Sequence, residues 1–452
     1  MHPALPTHPR SHLIVLLLAV IPCVLLLSPT ALPQKEPGHT VSPSFVIDTV
    51  LIIGNTTTRD YVIVNEMTIR PGTPVTAELL QYDRARIYSL GLFTLVDLSV
   101  DTLAGSRILT VVVSERWHYF PVPLFGFRDG EARKVYYGAG FLHNNFQGRN
   151  QKLFASAVFG YNPSVQLSFY EPLIDPVHRL SLSTAASFSR VRNKSEIEAE
   201  ATGDFNELHY DFGVGLGKRF SLFESGSLSL NYQVMEVSLY RPGRTVSDTG
   251  IDRFFYTSAG YAYDSRDLRE YASRGRYIGV SVTKYGLGTS DVNFFRFGAD
   301  MRGYLPLSSR FTLAGRVTGS MASGGLIPTY ARMYFGYGER IRGYFRDVLE
   351  GENLIGSSAE LRFMLLPVIV FRLPTDLLPE QFTVWQFGVS LALFADAGTT
   401  WFRGDPLILR NFLSGYGGGI RFLLPYGIVA RTEYAVNNLG RGQFILDFRT
   451  PF

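Results

Sequence analysis

Gly336 to Tyr344 reads G-Y-G-E-R-I-R-G-Y, in a long stretch between two segments that alternate like strands. Arg342 carries five N–H donors in a flat fork, and that fork matches carboxylates. Two downstream segments supply them. Ser358-Ala359-Glu360-Leu361-Arg362-Phe363 and Phe394-Ala395-Asp396-Ala397-Gly398 both alternate, and each puts one carboxylate on the face that would point into a barrel. A guanidinium held away from water needs such partners, because an unpaired buried charge is costly. The chemistry implied is ion pairing that fixes a loop.

Catalytic chemistry is not legible. G-x-S-x-G, H-E-x-x-H and the P-loop are missing from the sequence. Gly415-Tyr416-Gly417-Gly418-Gly419 is read as preceding a strand, not a helix, so it is not expected to cradle phosphate. His118, His143, His178 and His209 are scattered. We expect no catalytic residue, no metal ligand set and no cofactor.

The elements that must position Arg342 follow from composition and periodicity. In 452 residues, Lys+Arg 43 nearly balance Asp+Glu 39, and the net charge of +4 is too small to suggest nucleic-acid binding. Aromatic residues make up 14% and Gly numbers 44, yet past the first thirty residues no apolar run is long enough for a spanning helix. The chain is therefore an ordinary all-β protein or a membrane barrel, which hides its apolar content by alternation.

Residues 1–33 read as a secretory signal: Arg10, an apolar core from Leu13 to Leu27, and a break at Pro29 to Pro33. Cleavage is expected within Ser28 to Gln34. Cys23 is the only cysteine and sits in that core, so the mature chain has no thiol for disulfides, metals or nucleophilic catalysis.

Residues 45–116 read as a small α+β domain. Phe45 to Ile53 is a strand ended by Gly54-Asn55. Asp60 to Glu66 is a short helix, and Arg70-Pro71-Gly72 a turn. Ala77 to Leu90 is a second helix, with Leu79, Leu80, Tyr82, Ala85, Ile87 and Leu90 as its apolar face, stopped by Gly91. Strands Val96 to Asp101 and Ile108 to Glu115 are joined through Ala104-Gly105. This β-α-α-β-β order, with Gly54-Asn55, Gly72, Gly91-Leu92-Phe93 and an exit strand ending at Glu115, resembles a POTRA domain. Only one copy is read. Its physical use would be β-augmentation of an extended client segment.

Residues 117–452 read as an all-β transmembrane barrel of about sixteen antiparallel strands. In Gln386 to Ala397, Phe387, Val389, Leu391 and Leu393 oppose Ser390, Ala392, Phe394 and Asp396. In Phe295 to Gly303, Phe295, Phe297 and Met301 oppose Arg296, Asp300 and Arg302; in Ile428 to Tyr434, Ile428, Ala430 and Tyr434 oppose Arg431 and Glu433. Charges recur on one face only, the apolar-out pattern of a membrane barrel. Connections alternate in length. The outward ones include Val191 to Asn206, Tyr240 to Ile251, Met321 to Leu349 and Phe402 to Asn411. Inward ones are short, as in Pro306 to Ser309, except Asp264 to Arg274 and Leu366 to Thr383. Contact with the first domain is the one use left open to the last.

The first barrel strand is expected in Tyr119 to Arg128, with Pro121 and Pro123 either inside it or in a linker before a strand starting at Leu124. Phe444, Leu446, Phe448, Thr450 and Phe452 share one face of the last strand, beside Pro451. Three prolines therefore sit near the two strands that must pair to close the barrel, and proline cannot donate to a ladder. The expected seam residues are Pro121, Pro123, Phe444, Phe448, Pro451 and Phe452.

Together these features resemble the BamA/TamA-type family of outer-membrane assembly barrels. The resemblance implies that Arg342, Gly343 and Tyr344 form a loop motif folded into the lumen, with Glu360 and Asp396 as acidic partners and Phe394 beside them. It implies an outer-membrane barrel with its POTRA domain in the periplasm. The expected partners are unfolded outer-membrane or secreted protein clients and outer-membrane lipid, with periplasmic chaperones or accessory lipoproteins beside them and no nucleic acid. The expected role is insertion of β clients through a lateral seam. A secretion pore of the same family, or a structural barrel or porin, is the alternative.

Overall fold

The computed structural model describes residues 45–103, 105–127, 133–269, 271–288, 291–345, 347–373, 384–424 and 428–448. The leader read in residues 1–33, with Cys23, and the terminal Pro451 and Phe452 lie outside the described residues.

The first unit contains β1 (Phe45–Val46), β2 (Thr49–Ile53), α1 (Asp60–Val64), β3 (Pro74–Val75), α2 (Ala77–Tyr88), β4 (Phe93–Leu103) and β5 (Ser106–Glu115). β5 lies mid-sheet, parallel to β2 and antiparallel to β4. Thr76 caps α2 by accepting the Leu79 N–H. Ile63, Ile87, Leu109 and Val111 meet in the core between helices and sheet. The expected single strand Phe45 to Ile53 is broken. Ile47 turns fully into the core and Asp48 bonds Arg107, so β1 pairs with β3 instead. The helices end at Val64 and Tyr88, earlier than expected, and β4 runs longer than Val96 to Asp101.

The second unit is one sixteen-stranded antiparallel sheet. Its first half is β6 (Tyr119–Phe127), β7 (Val135–Phe146), β8 (Gln151–Gly160), β9 (Ser164–Asp175), β10 (Leu180–Arg192), β11 (Asn206–Arg219), β12 (Glu224–Val237) and β13 (Ile251–Asp264). Helix α3 (Glu196–Thr202) lies between β10 and β11. The second half begins with β14 (Gly275–Tyr285), β15 (Phe294–Pro306) and β16 (Phe311–Gly324). Two short strands of the next connection, β17 (Met333–Phe335) and β18 (Leu349–Gly351), pair with each other outside that sheet. The sheet resumes with β19 (Asn353–Arg372), β20 (Val384–Trp401), β21 (Leu413–Leu423), β22 (Val429–Asn437) and β23 (Gly442–Asp447). Its neighbours follow chain order from β6 to β23, and among the described residues no ladder joins these two end strands.

Alternation decides which side faces lipid. Leu393, Tyr434 and Phe444 are 65%, 57% and 69% exposed, whereas Ser390 and Glu433 are 0% and 1% exposed. Apolar side chains point out and polar ones in, as a bilayer requires. One open alternative is decided and two expectations are corrected. Pro121 and Pro123 lie inside β6, opposite Phe141 and Ala139 in an unbroken ladder, so the strand does not begin at Leu124. Gly415 to Gly419 lie within β21, not ahead of a strand. The long inward connection from Leu366 is strand as far as Arg372, with ladder irregularities at Met364/Leu366 and Leu366/Ile369; residues 374–383 lie outside the described residues.

The small domain rests on the barrel end that carries the connections 147–150, 220–223 and 265–274. Arg59 N donates to Gly148 O, Arg86 Nη1 to Asp264 O, and Gln386 Nε2 to Thr94 O. A buried ion triad adds to this: Arg86 and Arg219 both reach Glu66, at 2.7 and 3.3 Å. Arg219 belongs to the barrel, and the two guanidiniums outweigh the burial that would raise the Glu66 pKa, so it stands below its usual value.

Glu115 ties the domain exit to the turn after β2. It accepts Thr57 N, Thr58 N and Thr56 Oγ1, with His118 beside it. Burial alone would raise its pKa; the neighbouring His118 ring and the hydrogen bonds from Thr58 and Thr56 outweigh this and hold it at about 2. A lowered carboxylate pKa stabilises the fold above its unfolded value of 4.5, and that stability is lost as pH falls toward 2. The urea midpoint of the domain, followed through Trp117 fluorescence with Trp385 and Trp401 replaced, should therefore drop between pH 4.5 and 2, by about 1 kcal/mol in stability because solvent screens a carboxylate this near the surface. Glu115→Gln should start lower and lose most of that dependence. Orientation gives a second expectation. An epitope tag within Lys194 to Thr202 is labelled on intact cells and one at Ser308 is not; reversed labelling refutes the topology.

Candidate functional site: an inward loop held by an ion cluster

The connection between β16 and β19 carries Arg342 into the interior formed by β19 to β22. Arg342 is 4% exposed, and every N–H of its guanidinium is used. Nε and Nη2 bind the two oxygens of Asp396 at 2.7 and 2.6 Å, a bidentate pair. Nη2 also donates to Ser358 Oγ at 2.9 Å. Nη1 donates to Glu360 Oε1 at 2.7 Å and Glu433 Oε1 at 3.3 Å. The guanidinium carbon lies 3.7 Å from the centre of the Phe394 ring. The backbone N–H of Arg342 also donates to Asp396, at 3.0 Å, so loop backbone and side chain are fixed to one carboxylate.

The structure thus brings Arg342, Glu360, Phe394 and Asp396 together. Sequence reasoning missed the rest of the cluster. Arg421 Nη2 lies 2.6 Å from Glu360 and 3.1 Å from Glu433; Arg362 Nε donates to Glu360 at 2.8 Å. Arg431 bridges Glu433 at 3.0 Å and Asp447 at 2.7 Å. Four arginines face four carboxylates, so the buried charges cancel. The signal was available: Arg431 and Glu433 alternate inward on one strand, and Arg362 lies two residues from Glu360. The register that places Arg421 and Arg431 opposite each other on β21 and β22 was not legible.

Two glycines let the loop approach the wall. Gly343 has φ +97°, and a Cβ there would lie 3.2 Å from the backbone of Asn437. At Gly415 a Cβ would lie 1.8 Å from Arg342 O, so no side chain fits. Tyr344 is buried; its hydroxyl bonds Asn438, and Phe345 N donates to Gln443 Oε1 at 2.9 Å. The loop is therefore fastened to β22, β23 and their turn. Its outer half is held separately. Arg332 pairs with Glu350, and Tyr337 Oη donates to Lys194 O at 3.2 Å, across the interior beside α3. Arg316 binds Asp300 and Glu339, each at 2.9 Å. Of the expected seam residues, Phe444 and Phe448 lie exposed on β23 and just past it, and Pro121 and Pro123 on β6, at opposite ends of the sheet.

An apolar-out sheet of sixteen strands, a charged interior gripping one long loop, and a small α+β domain at one mouth define a transmembrane β-barrel with an attached POTRA domain. Residues 145–444 match the model of the Omp85 superfamily domain, and residues 45–116 match the POTRA model, described as a surface antigen variable number repeat. The chain belongs to the Omp85 superfamily. Its fold is similar to that of BamA from Haemophilus ducreyi lacking POTRA domains 1–3, with TM-score 0.52, 17% identity, and 89% of this chain and 83% of that one covered. It is also similar to CdiB from Escherichia coli, with TM-score 0.51, 11% identity, and 100% and 98% covered. At these identities the likeness is one of fold.

Replacing Arg342 by Ala strands Asp396 and leaves Glu360 and Glu433 short of a cation. The cost should be about 3–5 kcal/mol. The loop should become protease-sensitive from outside; an unchanged digestion pattern counts against this role. Gly415→Ala should expose the loop in the same assay while every charge stays in place.

Proposed function

We propose that this chain is an outer-membrane insertion factor that receives unfolded β clients at its POTRA domain and feeds them into the bilayer through the barrel seam. The POTRA sheet ends on β2, an edge to which an extended client can add by backbone hydrogen bonds. The barrel would sit in the bacterial outer membrane with this domain in the periplasm. Clients would be outer-membrane or secreted proteins, helped by periplasmic chaperones or accessory lipoproteins. The scheme requires no nucleotide, metal or catalytic residue.

The observation that carries this reading is the pair of prolines in β6. The ladder from Tyr119↔His143 to Phe127↔Val135 runs through both. A proline inside an unbroken antiparallel ladder must hold a position whose nitrogen points away from the paired strand. Pro121 and Pro123 share parity, so both nitrogens point to the open edge, where β23 would need two donors. No water replaces those bonds in a membrane. Among the described residues, the last strand pairs with β22 over Gly442–Asp447. The junction of β6 and β23 is thus the weakest place at which to part the sheet.

The test pairs one cysteine in Leu124 to Phe127 with one in Phe444 to Phe448, in a chain with Cys23 replaced. With the disulfide formed, insertion of a urea-unfolded outer-membrane barrel into proteoliposomes should stop, and reduction should restore it. Full activity with the seam quantitatively crosslinked overturns the lateral route and favours passage through the lumen, the secretion-pore reading.

A further inference from the structure

The connection 265–274 between β13 and β14 is an anomaly. It lies at the POTRA end, where the turns 147–150, 176–179, 220–223 and 307–310 are minimal. Its described residues fold up into the barrel. Tyr271 is 8% exposed and its hydroxyl lies 2.7 Å from Ser390 Oγ on the inner face of β20. Ala272 is buried, and its carbonyl accepts from Arg362 Nη1 at 3.2 Å. The Arg362 guanidinium carbon lies 4.7 Å from the centre of the Tyr271 ring. Arg362 in turn grips Glu360, which holds Arg342.

The base of the same connection touches the POTRA helix α2. Tyr82 Oη donates to Ser265 O at 3.1 Å, and Arg269 N donates to Ser89 Oγ at 3.1 Å. Between these ends the segment is braced internally. Asp267 accepts Ser273 N at 2.9 Å and Arg274 N at 3.3 Å, and Asp264 receives both Arg266 and Arg269. A short braced segment cannot shift at one end and stay fixed at the other. We propose that this connection is a strut that couples the seating of the POTRA domain to the ion cluster holding the inward loop. Its two states are the strut seated under Arg362 and the strut withdrawn. Such coupling is reciprocal: whatever seating of α2 adds to the order of the loop, the loop adds to the seating of α2.

The inference goes beyond the insertion reading and does not depend on which client is handled. Its test uses thiol labelling of the full chain in detergent, with Cys23 replaced and each variant checked for the heat-sensitive gel mobility of a folded barrel. The first probe is Ile341→Cys, at a loop position 2% exposed. Adding Tyr82→Phe and Ser89→Ala removes two POTRA contacts without touching the lumen. Maleimide labelling of the Ile341→Cys thiol should then accelerate about fivefold or more. The second probe is Ser89→Cys. Its labelling should accelerate when Tyr271→Ala is added, and less with Tyr271→Phe, which keeps the ring beside Arg362 and loses only the hydroxyl. If Tyr271→Ala fails to fold, Tyr271→Phe alone serves. Unchanged labelling at each probe when the opposite end is altered overturns the strut.

Discussion

The fold depends on one requirement: a guanidinium inside a barrel must be matched oxygen by oxygen. Arg342 meets it with three carboxylates and a serine; Glu360 and Glu433 each meet further arginines, and Asp396 also accepts the Ser358 hydroxyl. A buried pair is not by itself a source of stability, because desolvation offsets much of its attraction. What the network supplies is uniqueness. Five donors in a rigid fork accept one placement of three strands, β19, β20 and β22, and one loop, and a slip leaves a charge stranded. The loop is thereby turned from a long exposed connection into a packed lining of the barrel interior.

The bilayer supplies the complementary constraint. Outside the sheet only apolar side chains are tolerated, so each strand must spend alternate positions on lipid. The charges needed to hold the loop can therefore lie only on the inner parity, and they do so on β19 to β22. The same absence of water makes a missing backbone donor costly. Elsewhere the ladders run unbroken for long stretches, whereas β6 carries two residues that cannot donate toward its free edge. The loop is fastened to β23 and to the turn before it, at the end of the sheet farthest from β6 in strand order.

The POTRA domain is not an independent appendage. Glu66, just past α1, is shared between Arg86 of α2 and Arg219 of the barrel, so moving the domain away would leave a buried carboxylate with half its compensation. Contacts at Gly148, Asp264, Ser265 and Gln386 spread around the rim. One of these rim segments, 265–274, continues inward to Arg362, and this gives domain and loop a common structural path.

Much was legible in the residues themselves. Period-two alternation with charges of one parity determined a membrane barrel, because no soluble fold places Arg296, Asp300 and Glu433 inside and Phe295, Phe297 and Tyr434 outside. Turn residues and chain length gave about sixteen strands, and the parity of Glu360 and Asp396 marked them as partners for Arg342. Local patterning could not decide register. Which strand faces which, and at what offset, depends on contacts far apart in sequence, so Arg421 and the Glu433 link waited for the folded sheet. The break between Phe45–Val46 and Thr49–Ile53 was hidden for a similar reason: a continuous apolar run reads as one strand until Ile47 finds a core to enter. The ten-residue connection at 265–274 was visible only as too long. That it rises into the barrel to meet Arg362 was decided by tertiary structure alone, since a tyrosine is drawn inward only where a guanidinium and a serine hydroxyl already await it.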